Sequence, residues 1–362
     1  MTDHLDLAKM APPSKNIKAT KIRPSDIGNK VKSQYATVNG HRWHYLDTPS
    51  EGSQKGTIFL IHGFPDISFA WRYQIPLFSS LGFRSIALDC MGYGNTGSSS
   101  SLSDFSFKTH AEAVAGIAKS LGITRAVIGG HDWGGMAVYR IAQWKPELIS
   151  HVFSVATAYA PIQNRFVSTR ELVESGSVPQ FGYQLQFGSE DDQVERVIKD
   201  GDEGRMRKFL LGMYGGKVKS GKRFMTPEMG IDLRILEDES DEVAMTPLLN
   251  EEELDYYVKE FLKNGVHGPC NWYRTRKVNF EDELEMQEER RKVVRQPTLY
   301  ILATKDNILT REMSRGMEKA IPNLTSAEVD AGHWALWHTP DETNAILEDW
   351  LLGVVLGGKS KL

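Results

Sequence analysis

Apolar and polar positions change period several times along this chain of 362 residues. Residues 38–45 alternate, the pattern of a half-exposed edge strand. Residues 57–61 and 85–88 are short continuous apolar runs, as expected of strands buried on both faces of a parallel sheet. Ala113, Val114, Ile117, Ala118 and Leu121 fall on one helical face. Another apolar run covers 126–129, and Met136, Val138, Ile141 and Ala142 mark the helix after it. A further strand pattern covers 149–156. Strands alternating with helices predict a mostly parallel central sheet flanked by helices. The period breaks near Pro161. From there to about Arg295 the chain reads as helical and charged, without strand runs, for example at 192–199, 205–211 and 251–263. The acidic run 237–242 reads as a solvated loop. Strand patterns return at 297–303 and 327–330, and a last helix begins at about Pro340. The expected architecture is an α/β core formed by residues 1–161 and 295–362, interrupted by a helical cap, or lid, at 162–294. Open α/β sheets bind ligands at the C-terminal ends of their strands, so the cap is expected there.

Composition narrows the function classes. Apolar residues make up 40% and charged residues 25%, with a formal net charge of −4. There is no basic stripe of the kind that neutralises phosphates, which argues against nucleic acid as a partner. Two cysteines, Cys90 and Cys270, make no disulfide framework, and neither C-x-x-C nor H-E-x-x-H occurs, so no metal site is expected. The first thirty residues lack the apolar core of a secretory signal. The most apolar late run, 350–356, is far shorter than the roughly 20 residues of a membrane span. The chain is therefore expected to be neither secreted nor membrane-spanning. It ends in Ser360-Lys361-Leu362, the tripeptide read by the peroxisomal import receptor. The expected location is the peroxisome, alongside or instead of the cytoplasm.

The densest chemical signal is Gly130-His131-Asp132-Trp133-Gly134-Gly135, between an apolar strand and an apolar-periodic helix. Small residues on both sides of a central side chain are what a sharp strand-to-helix turn demands, the nucleophile elbow of an α/β-hydrolase fold. Serine is usual at its centre, and this chain has Asp132. A carboxylate with a reference pKa of about 3.9 is ionised at neutral pH and needs no base before it attacks. It can displace a leaving group at an sp3 carbon and leave an ester. The expected substrate is thus an alkyl electrophile such as an epoxide or haloalkane. His333, in Asp330-Ala331-Gly332-His333-Trp334, follows the last strand pattern and is the expected base. Asp306 follows the strand at 297–303 and is expected to hold the imidazole in the right tautomer. Residues 154–161, the other place where this architecture carries its acid, contain none. His62-Gly63-Phe64-Pro65 ends a strand, and the backbone N–H groups of Phe64 and Trp133 are expected to form an oxyanion hole. No G-x-S-x-G occurs, which sets aside a serine esterase.

With these motifs, and with Asp89-Cys90-Met91-Gly92-Tyr93-Gly94, the chain resembles the soluble epoxide hydrolases from about residue 38 to the last helix. Two cap segments carry the resemblance further, Phe181-Gly182-Tyr183-Gln184-Leu185 and Gly268-Pro269-Cys270-Asn271-Trp272-Tyr273-Arg274. They match the segments bearing the two lid tyrosines of that family. The resemblance implies that Tyr183 and Tyr273 hold the epoxide oxygen, that no cofactor or metal takes part, and that the product is a vicinal diol. It also implies the single-domain form of microbes or plants, without the phosphatase domain of animal members. Trp133, Phe181, Gln184, Trp334 and Trp337 are expected to line an apolar pocket. A peroxisomal setting suits detoxification of lipid-like epoxides. Two departures bear on substrate fit: Cys90-Met91 stands where Met-Arg or Met-Lys is usual, and Ala156-Thr157-Ala158 where Asn-Thr-Pro is common. Haloalkane dehalogenases share the fold, the Asp and the Trp, but Phe64 lacks the side-chain N–H donor that they often place there. A binding protein without catalysis is the remaining alternative, and such proteins commonly lose a triad member.

Overall fold

The computed structural model describes residues 8–9 and 17–358. Eleven strands occur among them: β1 (Ala8–Lys9), β2 (Lys32–Val38), β3 (His41–Thr48), β4 (Gly56–Ile61), β5 (Phe83–Leu88), β6 (Ala126–His131), β7 (Ile149–Val155), β8 (Met225–Thr226), β9 (Gly230–Ile231), β10 (Thr298–Ala303) and β11 (Leu324–Val329). Nine of them form one sheet in the order β1-β11-β10-β7-β6-β4-β5-β3-β2. Every neighbouring pair from β1 to β5 is parallel, while β3 pairs antiparallel with β5 and with β2. β4, β6 and β10 are almost wholly buried, as their unbroken apolar runs require. This is the α/β-hydrolase fold, with helices flanking a mostly parallel sheet. Helix α1 (Gln74–Ser80) packs against the last helix (Pro340–Trp350), and α2 (Phe107–Ser120) packs against α3 (Trp133–Trp144). Ser106 caps α2 by accepting the N–H of Thr109. Cys90 and Cys270 are buried free thiols.

Three expectations need correction. The alternation at 38–45 belongs to two strands rather than one. Asn39 and Gly40, both at positive φ (50° and 80°), turn the chain between β2 and β3, as Asn-Gly does in a two-residue hairpin. Between β7 and β10 the chain is helical, but β8 and β9 form a short antiparallel hairpin there. The acidic run 237–242 is not wholly solvated, because Asp241 is buried and pairs with Lys222 at 2.5 Å. No helix among the described residues is long and apolar enough to cross a membrane. Ser360-Lys361-Leu362 lies outside the described residues.

Candidate active site

Asp132 occupies the turn between β6 and α3 at φ 54° and ψ −124°, a conformation that costs energy for any residue with a Cβ. Its neighbours explain how the turn closes. A Cβ on Gly130 would lie 2.2 Å from the Gly134 carbonyl oxygen, and one on Gly134 would lie 2.1 Å from that of Ile61. A Cβ on Gly63 would lie 2.3 Å from Asp132 Oδ1. Only glycine lets the elbow sit this close to β4 and its loop. Thr157, just past β7, donates its hydroxyl to the Asp132 carbonyl at 2.7 Å and braces the turn from below.

The side chain of Asp132 meets two partners. Its Oδ1 accepts the Phe64 N–H at 2.7 Å. Its Oδ2 lies 3.4 Å from His333 Nε2. Trp133 is the first residue of α3, so its N–H has no acceptor within the helix. His333 Nδ1 donates to Asp306 Oδ2 at 2.7 Å. The other oxygen of Asp306 accepts the N–H groups of Ile308 and Leu309 at 2.8 and 3.0 Å. β10 and β11 are parallel neighbours, so the loops after them open at the same edge of the sheet and bring Asp306 to His333. Burial alone would lower the imidazole pKa, but the carboxylates of Asp306 and Asp132 outweigh it and raise it to about 10. Burial likewise opposes ionisation of Asp306, and His333 with the two backbone N–H groups brings it down to about 2. Asp132 is lowered in the same way, its burial offset by His333 and the Phe64 N–H. Both carboxylates thus favour the protonated form of His333 in the resting site.

Tyr183 and Tyr273 come from separate segments between β7 and β10, the helix Tyr183–Phe187 and the turn Trp272–Arg274. Both are buried, and their ring centroids are 5.9 Å apart. Trp133 packs edge-on against Tyr273 at 5.3 Å, and Gln184 Nε2 donates to the Tyr183 hydroxyl at 3.3 Å. Burial raises both phenol pKa values above their ordinary range, so both are neutral donors. With Asp132 they line a cavity of about 380 Å³, to which Trp133, Phe181 and Gln184 also contribute. Trp334 and Trp337 do not line it. Trp337 is a core residue, stacked on Trp334 at 4.8 Å and donating its Nε1–H to the Ala70 carbonyl. Trp334 donates to the Met213 carbonyl and borders a second concavity of about 560 Å³ beside His333 and Asp306.

Sequence reasoning passed over three residues here. His131 Nε2 donates to the His333 carbonyl at 2.8 Å, and burial holds its pKa down at about 4, so it buttresses the base as a neutral ring. Its place beside the nucleophile was the available signal. Thr157 sits where the acid was sought and not found. Asp66, directly after Pro65, is fully buried and raised by that burial to about 8. Only one group of metal-ligand type occurs among the described residues, Asp192, Glu195 and His267. Arg274 already spans its carboxylates at 3.0 and 2.8 Å, and none of the three lines the cavity.

Residues 56–186 match the family described as alpha/beta hydrolase fold. The chain is 36% identical over 335 residues to the epoxide hydrolase srdG of Neurospora crassa, covering 89% of this chain and 96% of that one. It is 33% identical to the bifunctional epoxide hydrolase 2 of Rattus norvegicus over 89% of its own length, and spans 56% of that longer protein. The solved structure of an epoxide hydrolase from an endophytic Streptomyces shares the fold with a TM-score of 0.73, at 24% identity over 91% of this chain and 97% of the other. Fold and elbow thus define an α/β-hydrolase. Within that superfamily the chain belongs to the soluble epoxide hydrolases, and is an enzyme that hydrolyses an ether bond.

Proposed function

We propose that Asp132 opens the epoxide by forming a covalent ester. The observation that carries this reading is the unbroken line of contacts from the Phe64 N–H through Asp132 and His333 to Asp306, facing two neutral phenols across one cavity. Tyr183 and Tyr273 bind the epoxide oxygen. Asp132 Oδ2 attacks a ring carbon, the C–O bond breaks, and one phenol gives its proton to the forming alkoxide. Loss of the Asp132 charge removes one of the two carboxylates that hold His333 protonated. The imidazolium can then pass that proton back to the phenolate, which restores the phenol, and the neutral imidazole takes one from water, with Asp306 keeping it oriented. The hydroxide attacks Cγ of Asp132, and the N–H groups of Phe64 and Trp133 stabilise the oxyanion. Collapse breaks the bond to the alkyl oxygen, and the hydroxyl proton of the intermediate passes to the departing alkoxide, which leaves the Asp132 carboxylate beside an imidazolium as at the start. Water and epoxide leave as a vicinal diol.

Residues 162–294 act in this scheme as a cap that supplies the phenols and excludes bulk water, while 1–161 and 295–362 supply nucleophile, base and acid. The apolar lining favours lipid-like epoxides, and the terminal Ser-Lys-Leu favours import into the peroxisome, where such epoxides would be detoxified. His333→Gln is expected to alkylate and then stall. Intact mass spectrometry of that variant should show protein plus one epoxide. An unmodified mass after long incubation, with the fold intact, would overturn the ester scheme.

A further inference from the structure

Three arginines line the catalytic cavity, Arg140, Arg165 and Arg276, in a chain whose net charge is −4. Two of them are neutralised. Arg140 is buried against Glu283 at 2.6 Å and also donates to the Ala160 carbonyl. Arg165 is exposed and pairs with Glu171 at 3.0 Å. Arg276 is different. Its Nε donates to the Val167 carbonyl at 2.5 Å, which fixes the plane of the guanidinium beside the exposed rim residues Arg165 and Phe166. Among the described residues no carboxylate lies within ion-pair distance of it; Glu283, which also lines the cavity and supports its charge from farther off, is bonded to Arg140. Burial lowers its pKa, so the charge is partly desolvated. The cavity wall is largely apolar, with Phe107, Met136, Phe280 and Leu309 among its lining. A part-buried guanidinium with its terminal N–H groups unclaimed is a strong donor set for a planar anion. Tyr273, in the turn Trp272–Arg274, and Arg276, the first residue of the helix Arg276–Glu285 that follows, both line the cavity.

We propose that Arg276 is an anion subsite at the rim of the cavity, a specificity-determining residue that favours an epoxide carrying an anionic group over a neutral one of the same shape. The substrate assignment rests on the epoxide-opening reading of Asp132, whereas the subsite itself does not. Bound in this way, the anion takes the place of the missing acid. The apolar body lies along the cavity, and the ring reaches the phenols and Asp132.

The subsite is tested first without chemistry. Calorimetric titration with octanoate and with octanamide compares an anion with a neutral molecule of nearly the same shape. The wild type is expected to bind octanoate about 10- to 100-fold more tightly, the range for a hydrogen-bonded charge. Arg276→Met should bind both alike, and Arg276→Lys should restore part of the difference. Turnover of para-carboxystyrene oxide against its carboxamide should show the same preference in kcat/KM, carried mainly by KM. Matching circular dichroism spectra and cooperative melting show that each of the three proteins is folded. Equal affinity of the wild type for the two probes would overturn the subsite, as would an octanoate preference that survives in Arg276→Met. Octanoate binding that depends on Arg276, with no diol from either epoxide, would uphold the subsite and sink the ester scheme instead.

Discussion

His333 lies between Asp306 and Asp132, and the charge on each side chain depends on the other two. The pair His333–Asp306 ties stability to pH in a defined window. The folded pKa of the histidine is raised from 6.5 to about 10, so its contribution is complete below 6.5 and disappears as pH rises through about 10. The folded pKa of the aspartate is lowered from 3.8 to about 2, so its contribution is complete above 3.8 and is lost as pH falls through about 2. The gap in melting temperature between wild type and Asp306→Asn should be widest between those reference values, from 3.8 to 6.5. It should narrow steadily toward pH 10. A gap independent of pH from 6 to 10 would mean that the resting imidazole is neutral. At the same scale, sequence legibility was uneven. Asp132, His333 and Asp306 are legible because each follows an apolar run that has to end at one edge of the sheet. Trp334 and Trp337 are not, since an aromatic beside a catalytic loop carries no mark of whether it faces the cavity or the core.

Two cap segments hold the loop that presents the Phe64 N–H. Tyr214, which follows the helix Glu203–Met213, donates its hydroxyl to the Pro65 carbonyl at 2.7 Å. Tyr257, in the helix Glu251–Phe261, donates to Asp66 Oδ1 at 2.8 Å, an oxygen that also accepts the Ile67 N–H. Both tyrosines are fully buried, so each bond is made without competing water. In the proposed scheme, the helical stretch between β7 and β10 that offers two phenols to the substrate thus also fixes the donor beneath Asp132. Tyr257→Phe is expected to slow ester hydrolysis about 3- to 10-fold, less than the loss of an oxyanion donor itself, while alkylation stays near the wild-type rate. The ester should then build up in the steady state, which intact mass spectrometry reads directly. A lower melting temperature with no added ester would assign Tyr257 to stability alone. None of this could be read from spacing. Tyr214 and Tyr257 lie 149 and 191 residues from their acceptors, and two of twelve tyrosines carry no local signal of such a partner. The strands were legible where burial on both faces makes an unbroken apolar run. The β2–β3 hairpin was lost because its alternation continues through the Asn39-Gly40 turn.

Core and cap are also joined by charge. Glu253, in the cap helix Glu251–Phe261, is buried and faces Arg72 of the core, itself fully buried, with Nε 3.3 Å from Glu253 Oε1. Lys21, between β1 and β2, reaches the same oxygen at 2.7 Å. Arg72 Nη2 donates to the Leu248 carbonyl just ahead of that helix, and the guanidinium stacks over Trp337 at 4.2 Å. One acid in the cap thus neutralises two cations from the rest of the chain. Removing it strands Arg72 in a site with no water, and breaking a buried pair on one side costs roughly 3–5 kcal/mol. Glu253→Gln keeps the shape and removes the charge. In urea it should unfold at a clearly lower midpoint. The wild type should lose diol formation and core fluorescence in one transition, because the buried pair makes cap and core a cooperative unit. Replacing Arg72 as well, by Met, removes the stranded charge, and the double variant should recover much of the loss, since a buried ion pair and an apolar pair of similar volume differ little in stability. A Glu253→Gln midpoint equal to wild type would mean that the cap docks through its apolar contacts alone. The catalytic phenols would then stand on a lid able to loosen without unfolding the sheet.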